Sequence, residues 1–232
     1  MMKSFTLRSS MGLLPLVVAG CAGGNRDQPE RSPKSPDAIS FDDRAVGSVP
    51  PGWRIGGTRQ GQGPLAEWRV IADPTAPTPP NALALTASGH GQDQTYNLCW
   101  TDSIRFGDGR ISVRFKSVAG EVDQGGGPIW RVRDADNYYI CRANPLESNF
   151  RVYKVVDGTR KQLATASVEV ASGGWHTIEI EHIGHHIVCT LNGTTRIEAT
   201  DSALPEAGGV GLWTKADAVT SFDNLRVIPT GN

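Results

Sequence analysis

Helical periodicity is almost missing from this 232-residue chain. Between Phe41 and Val227, apolar residues do not recur at the three- and four-residue spacing of a buried helix face. Parallel sheets need crossover connections, which are usually helical, so a parallel α/β fold is excluded. Apolar runs are scarce too, and none reaches the roughly 18 residues that span a bilayer. A basic excess is absent, because 23 Lys and Arg stand against 24 Asp and Glu for a formal charge of −1. Proteins that neutralise a phosphate backbone normally carry a strong positive surplus, so no nucleic-acid partner is expected. Cysteine is limited to four residues with no C-x-x-C pair among them, which removes a common zinc and redox spacing.

What is present begins with "MMKSFTLRSSMGLLPLVVAGC". Lys3 and Arg8 form a basic start, Met11 to Val18 an apolar stretch, and small residues follow. This is the plan of a signal peptide, expected over residues 1–20. The stretch Val18-Ala19-Gly20-Cys21 resembles the bacterial lipobox, which implies that Cys21 is acylated and becomes the first residue of a membrane-anchored lipoprotein. Such a protein belongs to the bacterial cell envelope. Ala22 is not an inner-membrane retention signal, so the outer membrane is the favoured site where the host has two. Residues 21–39, with three Pro and alternating charges, read as the lipidated Cys followed by a flexible tether. Loss of residues 1–20 removes Lys3 and Arg8 and no acid, taking the formal charge from −1 to −3. Cys99, Cys141 and Cys189 then remain. An oxidising envelope permits one disulfide among them in three possible pairings, whereas their apolar strand contexts suit buried free thiols, and the spacing does not choose.

From residue 40 to 228 short alternating segments recur between Gly, Asp and Asn turns, with 229–232 as a C-terminal tail. Eleven segments carry the pattern, from "NALALTA" through "NYYICRA" and "NFRVYKV" to "FDNLRVI". Asp157-Gly158 and Asn192-Gly193 are hairpin signals that join antiparallel neighbours. The expected fold is all-β, a jelly-roll β-sandwich of two antiparallel sheets.

Polarity within the central strands separates two faces. Trp130, Val132, Tyr139, Cys141, Ala143, Phe150 and Val152 form the apolar side expected in the core. Arg131, Arg133, Tyr138, Arg142, Asn144, Arg151 and Tyr153 lie opposite. In "GLWTK", Trp213 and Lys215 share one side, so a large aromatic keeps company with a cation. That combination predicts a solvent-facing surface that grips something flat and hydroxylated, with the indole as platform and the guanidinium groups as donors. The expected carbohydrate-binding residues are Arg131, Arg142, Asn144, Tyr153, Trp213 and Lys215. The alternative is that these side chains lace the outer face of the sheet together.

The stretches "GGPIWRVRDADNYYICRANPLESNFRVYKVVDGTRKQL", "GWHTIEIEHIGHHIVCTLNGT" and "GVGLWTKADAVTSFDNLRV" resemble the concanavalin A-like lectin and glucanase superfamily, specifically its 3-keto-disaccharide hydrolase or LamG-like domain. The resemblance implies a lectin-like sandwich that binds carbohydrate on a concave sheet face. It equally admits a glycoside hydrolase acting on a (3-keto-)disaccharide or related glycan, and a non-catalytic structural or assembly lipoprotein remains as a third reading.

A glucanase of this superfamily would show an E-x-D-x-(x)-E strand that sets two carboxylates on one face. The nearest approach, "TIEIEHI", aligns Glu179 with Glu181 but lacks the middle Asp. Glu147 in "NPLESN" is the candidate acid or base, against a simpler role in capping a turn. Asp134, Asp136 and Asp217 read as turn residues. His182, His185 and His186 cluster at a turn where exposed imidazoles are the simplest outcome. Asp42 and Asp223 lie near the two ends of the domain, where a structural Ca²⁺ would fit a jelly roll.

Overall fold

The computed structural model describes Met1 and residues 38–59, 64–88 and 95–230. The expected signal peptide, Cys21 and the tether as far as residue 37 lie outside the described residues.

Among the described residues there is no helix, and the period-2 alternation becomes strand throughout. Fourteen strands form in chain order: β1 (Trp53–Gly57), β2 (Glu67–Ala72), β3 (Asn81–Ala87), β4 (Tyr96–Phe106), β5 (Gly109–Ala119), β6 (Gly127–Asp134), β7 (Asn137–Asn144), β8 (Asn149–Val156), β9 (Thr159–Ser167), β10 (Trp175–Ile183), β11 (His186–Leu191), β12 (Thr195–Thr200), β13 (Gly208–Lys215) and β14 (Val219–Pro229). They make two seven-stranded sheets. Sheet 1 runs β1-β4-β13-β6-β7-β8-β9, and sheet 2 runs β12-β11-β10-β5-β14-β3-β2. Neighbours in both sheets are antiparallel. This is a jelly-roll β-sandwich.

Three strands were not legible as alternating segments: β1, β2 and β9. All three are edge strands. An edge strand has one neighbour and buries fewer side chains, so its hydrophobic pattern is weak. The hairpin turns behave as their chemistry requires. Asp157 and Gly158 take φ of 48° and 73°, and Asn192 and Gly193 take 52° and 69°, the left-handed pairs of a tight two-residue turn. Just before the domain, Ile39 pairs with Leu225 through two backbone hydrogen bonds of 2.7 and 3.2 Å.

The sheets enclose a core built from Trp68, Leu83, Phe115, Trp130, Tyr139, Phe150 and Phe222, among others. Trp130, Tyr139, Cys141, Ala143, Phe150 and Val152 point into it as expected. Val132 does not. Trp130 pairs with Val210 and Val132 with Gly209, so Arg131 is an extra residue in β6, held at a φ of 47°. This β-bulge inverts the alternation after Trp130 and sends Val132 to the outer side of sheet 1. Cys99, Cys141 and Cys189 are buried free thiols, and burial raises the pKa of Cys99 and Cys141.

Candidate functional site

The outer face of sheet 1 carries a second apolar cluster: Tyr96, Leu98 and Trp100 from β4, Trp213 from β13, Ile129 and Val132 from β6, Tyr138 and Ile140 from β7, and Tyr153 and Val155 from β8. Trp213 and Lys215 share this face as their spacing predicts, but the expectation of a solvent-facing surface is overturned. Trp213 is completely buried and Lys215 is 5% exposed.

Curvature explains the burial. The Arg160 guanidinium, on edge strand β9, lies 4.6 Å from the Tyr153 ring centre and 4.7 Å from that of Tyr96. β9 and β4 are five positions apart in the sheet order, which is about 24 Å on a flat sheet. Two side chains meet across that interval only if the sheet bows into a narrow concave groove. Gly127 permits close approach of neighbouring strands, since a Cβ there would lie 1.9 Å from the Cys141 carbonyl oxygen. At one end of the groove Trp213 Nε1 donates to the Tyr138 hydroxyl at 3.1 Å, and Thr58 Oγ1 lies 2.7 Å from that hydroxyl.

Beside the rings sits a group of charges. The loop before β6 presents Asp123, whose backbone N–H is held at 3.0 Å by the Asp217 carboxylate along with the N–H groups of Glu121 and Val122. Asp123 is 1% exposed and Arg142 is fully buried. Arg142 Nη1 lies 3.7 Å from Asp123 Oδ1, and Lys215 Nζ lies 3.1 Å from Asp123 Oδ2. Asn144 donates to Asp123 Oδ1 at 2.9 Å and accepts the Glu147 N–H at 3.0 Å. A single Glu147 oxygen, Oε2, receives Arg142 Nη2, Asn149 Nδ2 and Arg151 Nη1, each at 2.9 Å. The β7–β8 turn is therefore tied to the face by its own acid.

These contacts set the ionisation. Burial alone would raise the Glu147 carboxyl, but the Asn149 hydrogen bond and the Arg142 and Arg151 charges bring it down to about 2. A group that ionised does not donate a proton near neutrality, so the general-acid role considered for Glu147 lacks its chemical basis. Burial raises the Asp123 carboxyl against the pull of Arg142 and Lys215. Burial opposes the Arg142 charge, yet Asp123, Tyr153 and Glu147 raise its pKa on balance. Satisfaction is incomplete: Arg142 Nε and Nη1 and Asn149 Oδ1 are buried without a hydrogen-bond partner, whereas Asp123 Oδ2 is answered by the Lys215 ammonium.

Of the residues expected to bind ligand, Arg142, Asn144, Tyr153, Trp213 and Lys215 converge here. Arg131 does not, because the bulge turns it to the end of the sandwich. Its guanidinium there donates to the Gly107, Leu204 and Gly184 carbonyls and to Asp108 Oδ1 at 2.9–3.2 Å, clamping three loops. His182 is not exposed either. It continues the inward row of Ile178 and Ile180 and accepts a hydrogen bond from Trp130 Nε1 at 2.9 Å. Asp42 receives the Asn81 N–H, while Asp223 is bonded by the Thr78 N–H and hydroxyl and by the Asn224 N–H. Among the described residues no group of three or more His, Cys, Asp or Glu is arranged to hold a metal. Glu179 and Glu181 lie elsewhere, in an open trough of about 430 Å³ on the outer face of sheet 2 with Arg110, Arg196 and Arg226.

Sequence reading missed Asp123, Tyr96 and Arg160. Asp123 left one trace, an acid placed among Gly120 and Gly125 to Gly127. Arg160 left none, because its partners come from strands remote in sequence.

Fold and face together define a jelly-roll β-sandwich with a ring-lined outer face on sheet 1. The chain belongs to the 3-keto-alpha-glucoside-1,2-lyase-like domain family, whose profile matches residues 41–228. Among solved structures it is similar to the carbohydrate-binding module CBM66 from Bacillus subtilis, at 19% identity and a TM-score of 0.56 over 75% of this chain and 93% of that one. It is similar to the cellulose-induced protein Cip1, at 15% identity and a TM-score of 0.53 over 77% and 91%. A Bacillus subtilis protein of unknown function with a galectin-like fold matches at 12% identity and a TM-score of 0.52 over 75% and 87%. Among curated proteins no sequence relative is found. At these identities the structural neighbours speak to the fold.

Proposed function

We propose that this protein recognises carbohydrate on the concave face of sheet 1, and that Cys21, as a lipidated residue, holds it at a bacterial membrane surface, with the outer membrane favoured where there are two. The supporting observation is the set of buried polar atoms of Arg142, Arg160 and Asn149 that lack a hydrogen-bond partner beside Tyr153. A saccharide offers the matching chemistry, since its hydroxyls both donate and accept while its C–H faces lie against aromatic rings. The neighbour named as a carbohydrate-binding module supports the same reading.

The family description favours a second reading, in which the face performs lyase or hydrolase chemistry on a (3-keto-)disaccharide. Asp123 supports it, because a carboxylate whose pKa is raised by burial is a better proton acceptor than an exposed one. One experiment serves both readings. The full chain is titrated calorimetrically with a panel of oligosaccharides and oxidised disaccharides, and each binder is assayed for product. Binding without product supports recognition alone. Product lost in Asp123→Asn and kept in Glu147→Gln supports the enzyme. Absence of binding to every saccharide overturns the proposal.

A further inference from the structure

Three guanidinium groups converge on Tyr153. Arg142 lies 5.9 Å from its ring centre and Arg160 lies 4.6 Å from it, while Arg151 Nη1 reaches its hydroxyl at 3.5 Å. Glu147 Oε2 answers Arg142 and Arg151 together. Arg160 is different: among the described residues it faces no carboxylate, and its charge rests against the rings of Tyr96, Tyr153 and Trp213. Its Nη1 is buried without a hydrogen-bond partner, as are Nε and Nη1 of the fully buried Arg142.

A guanidinium stacked on an aromatic ring keeps its N–H edge free for acceptors in its own plane. The acceptor that matches such a fork is a planar carboxylate. A neutral sugar lying over the half-buried Arg160 would desolvate its charge and leave only the rings to answer it, which is costly. The unpartnered Asn149 Oδ1 suits a hydroxyl of the same ligand.

We infer that the saccharide recognised by this face is acidic, a uronic-acid-containing oligosaccharide whose carboxylate is held by Arg160 and Arg142. The inference rests on the carbohydrate reading above and sharpens it to a substrate class. Arg160 is then the residue that sets specificity, reaching across the groove from the edge strand to meet the carboxylate. Arg142 shares the carboxylate while its remaining N–H stays on Glu147.

The test is calorimetric titration of the full chain with galacturonate and glucuronate trimers alongside the corresponding neutral galactose and glucose trimers. At least a tenfold preference for one acidic trimer over its neutral counterpart is expected. Arg160→Met, which keeps an apolar stem over the rings, is expected to reduce that preference to about threefold or less. Arg160→Lys, which keeps the charge and loses the fork, is expected to fall between. Melting temperatures of both variants report folding, and the wild-type comparison decides the ligand class even where a variant fails to fold. Equal affinity of wild type for acidic and neutral trimers overturns the inference and leaves carbohydrate recognition standing. A preference undiminished in a folded Arg160→Met protein overturns the role of Arg160. Binding of neither kind overturns the inference and the carbohydrate reading together.

Discussion

The two sheets have the same number of strands, yet their outer faces use charge in opposite ways. On sheet 2, Arg110 pairs with Glu181 at 2.7 Å and Arg196 with Glu198 at 2.8 Å, and all four side chains are at least 41% exposed. Such pairs stay hydrated, contribute about 0–1 kcal/mol, and weaken further with salt. On sheet 1, Asp123, Arg142 and Lys215 are desolvated, and two of the Arg142 nitrogens lack a hydrogen-bond partner. Charges kept in that state are costly to a fold unless something else uses them. The bowing of sheet 1, with Arg160 spanning from β9 to Tyr96 on β4, separates the two cases more than composition does.

The comparison can be broken by removing one charge from each face. Arg142→Ala strips a buried partner from Asp123 and Glu147 at once and is expected to destabilise the protein by about 3–5 kcal/mol. Glu181→Ala on sheet 2 is expected to cost less than about 1 kcal/mol. Urea denaturation of both variants checks the contrast, and similar losses would mean that the faces are energetically alike. Acid sharpens the picture next. The His182 pKa is lowered to about 4 by burial and then by the nearby Arg131, from the 6.5 of a free imidazole. Below pH 6.5 the unfolded chain binds a proton that the folded protein refuses, so stability falls as pH drops from about 6.5 toward 4. The loss is on the order of 3 kcal/mol at full extent. Denaturation midpoints at pH 7.5 and pH 4.5 measure it, and a His182→Phe variant should lose less over the same interval. Glu147 adds to the decline further down: its folded pKa is depressed, so its contribution is present above about 4.5 and fades as pH falls toward 2. The smallest effect concerns the thiols. Cys99, Cys141 and Cys189 should stay unreactive toward an aromatic disulfide reagent at pH 8 until denaturant is added.

The jelly roll was legible because eleven strands alternate in residue type between turn signals, and the strands that escaped notice lie at edges where alternation has little to report. The grouping of Arg142, Asn144, Tyr153, Trp213 and Lys215 on one face followed from parity alone. What parity does not contain is depth. Nothing in "GLWTK" says whether a sheet is flat or bowed, so Trp213 read as open when it is closed over. A bulge defeats the same reading, since one extra residue moved Arg131 from the groove to the end of the sandwich. His182 shows the reverse error: it follows Ile178 and Ile180 on the inward side, and counting by two would have placed it in the core.

The most direct measurement is glycan-array binding by the full chain and two charge-reversal variants, Arg151→Glu at the rim of the sheet 1 groove and Arg226→Glu in the sheet 2 trough. Both side chains reach solvent, so neither reversal is expected to disturb the core. The account predicts that the wild type and Arg226→Glu bind the same glycans and that Arg151→Glu loses them. Loss in Arg226→Glu with retention in Arg151→Glu, or no binding by the wild type, would contradict it.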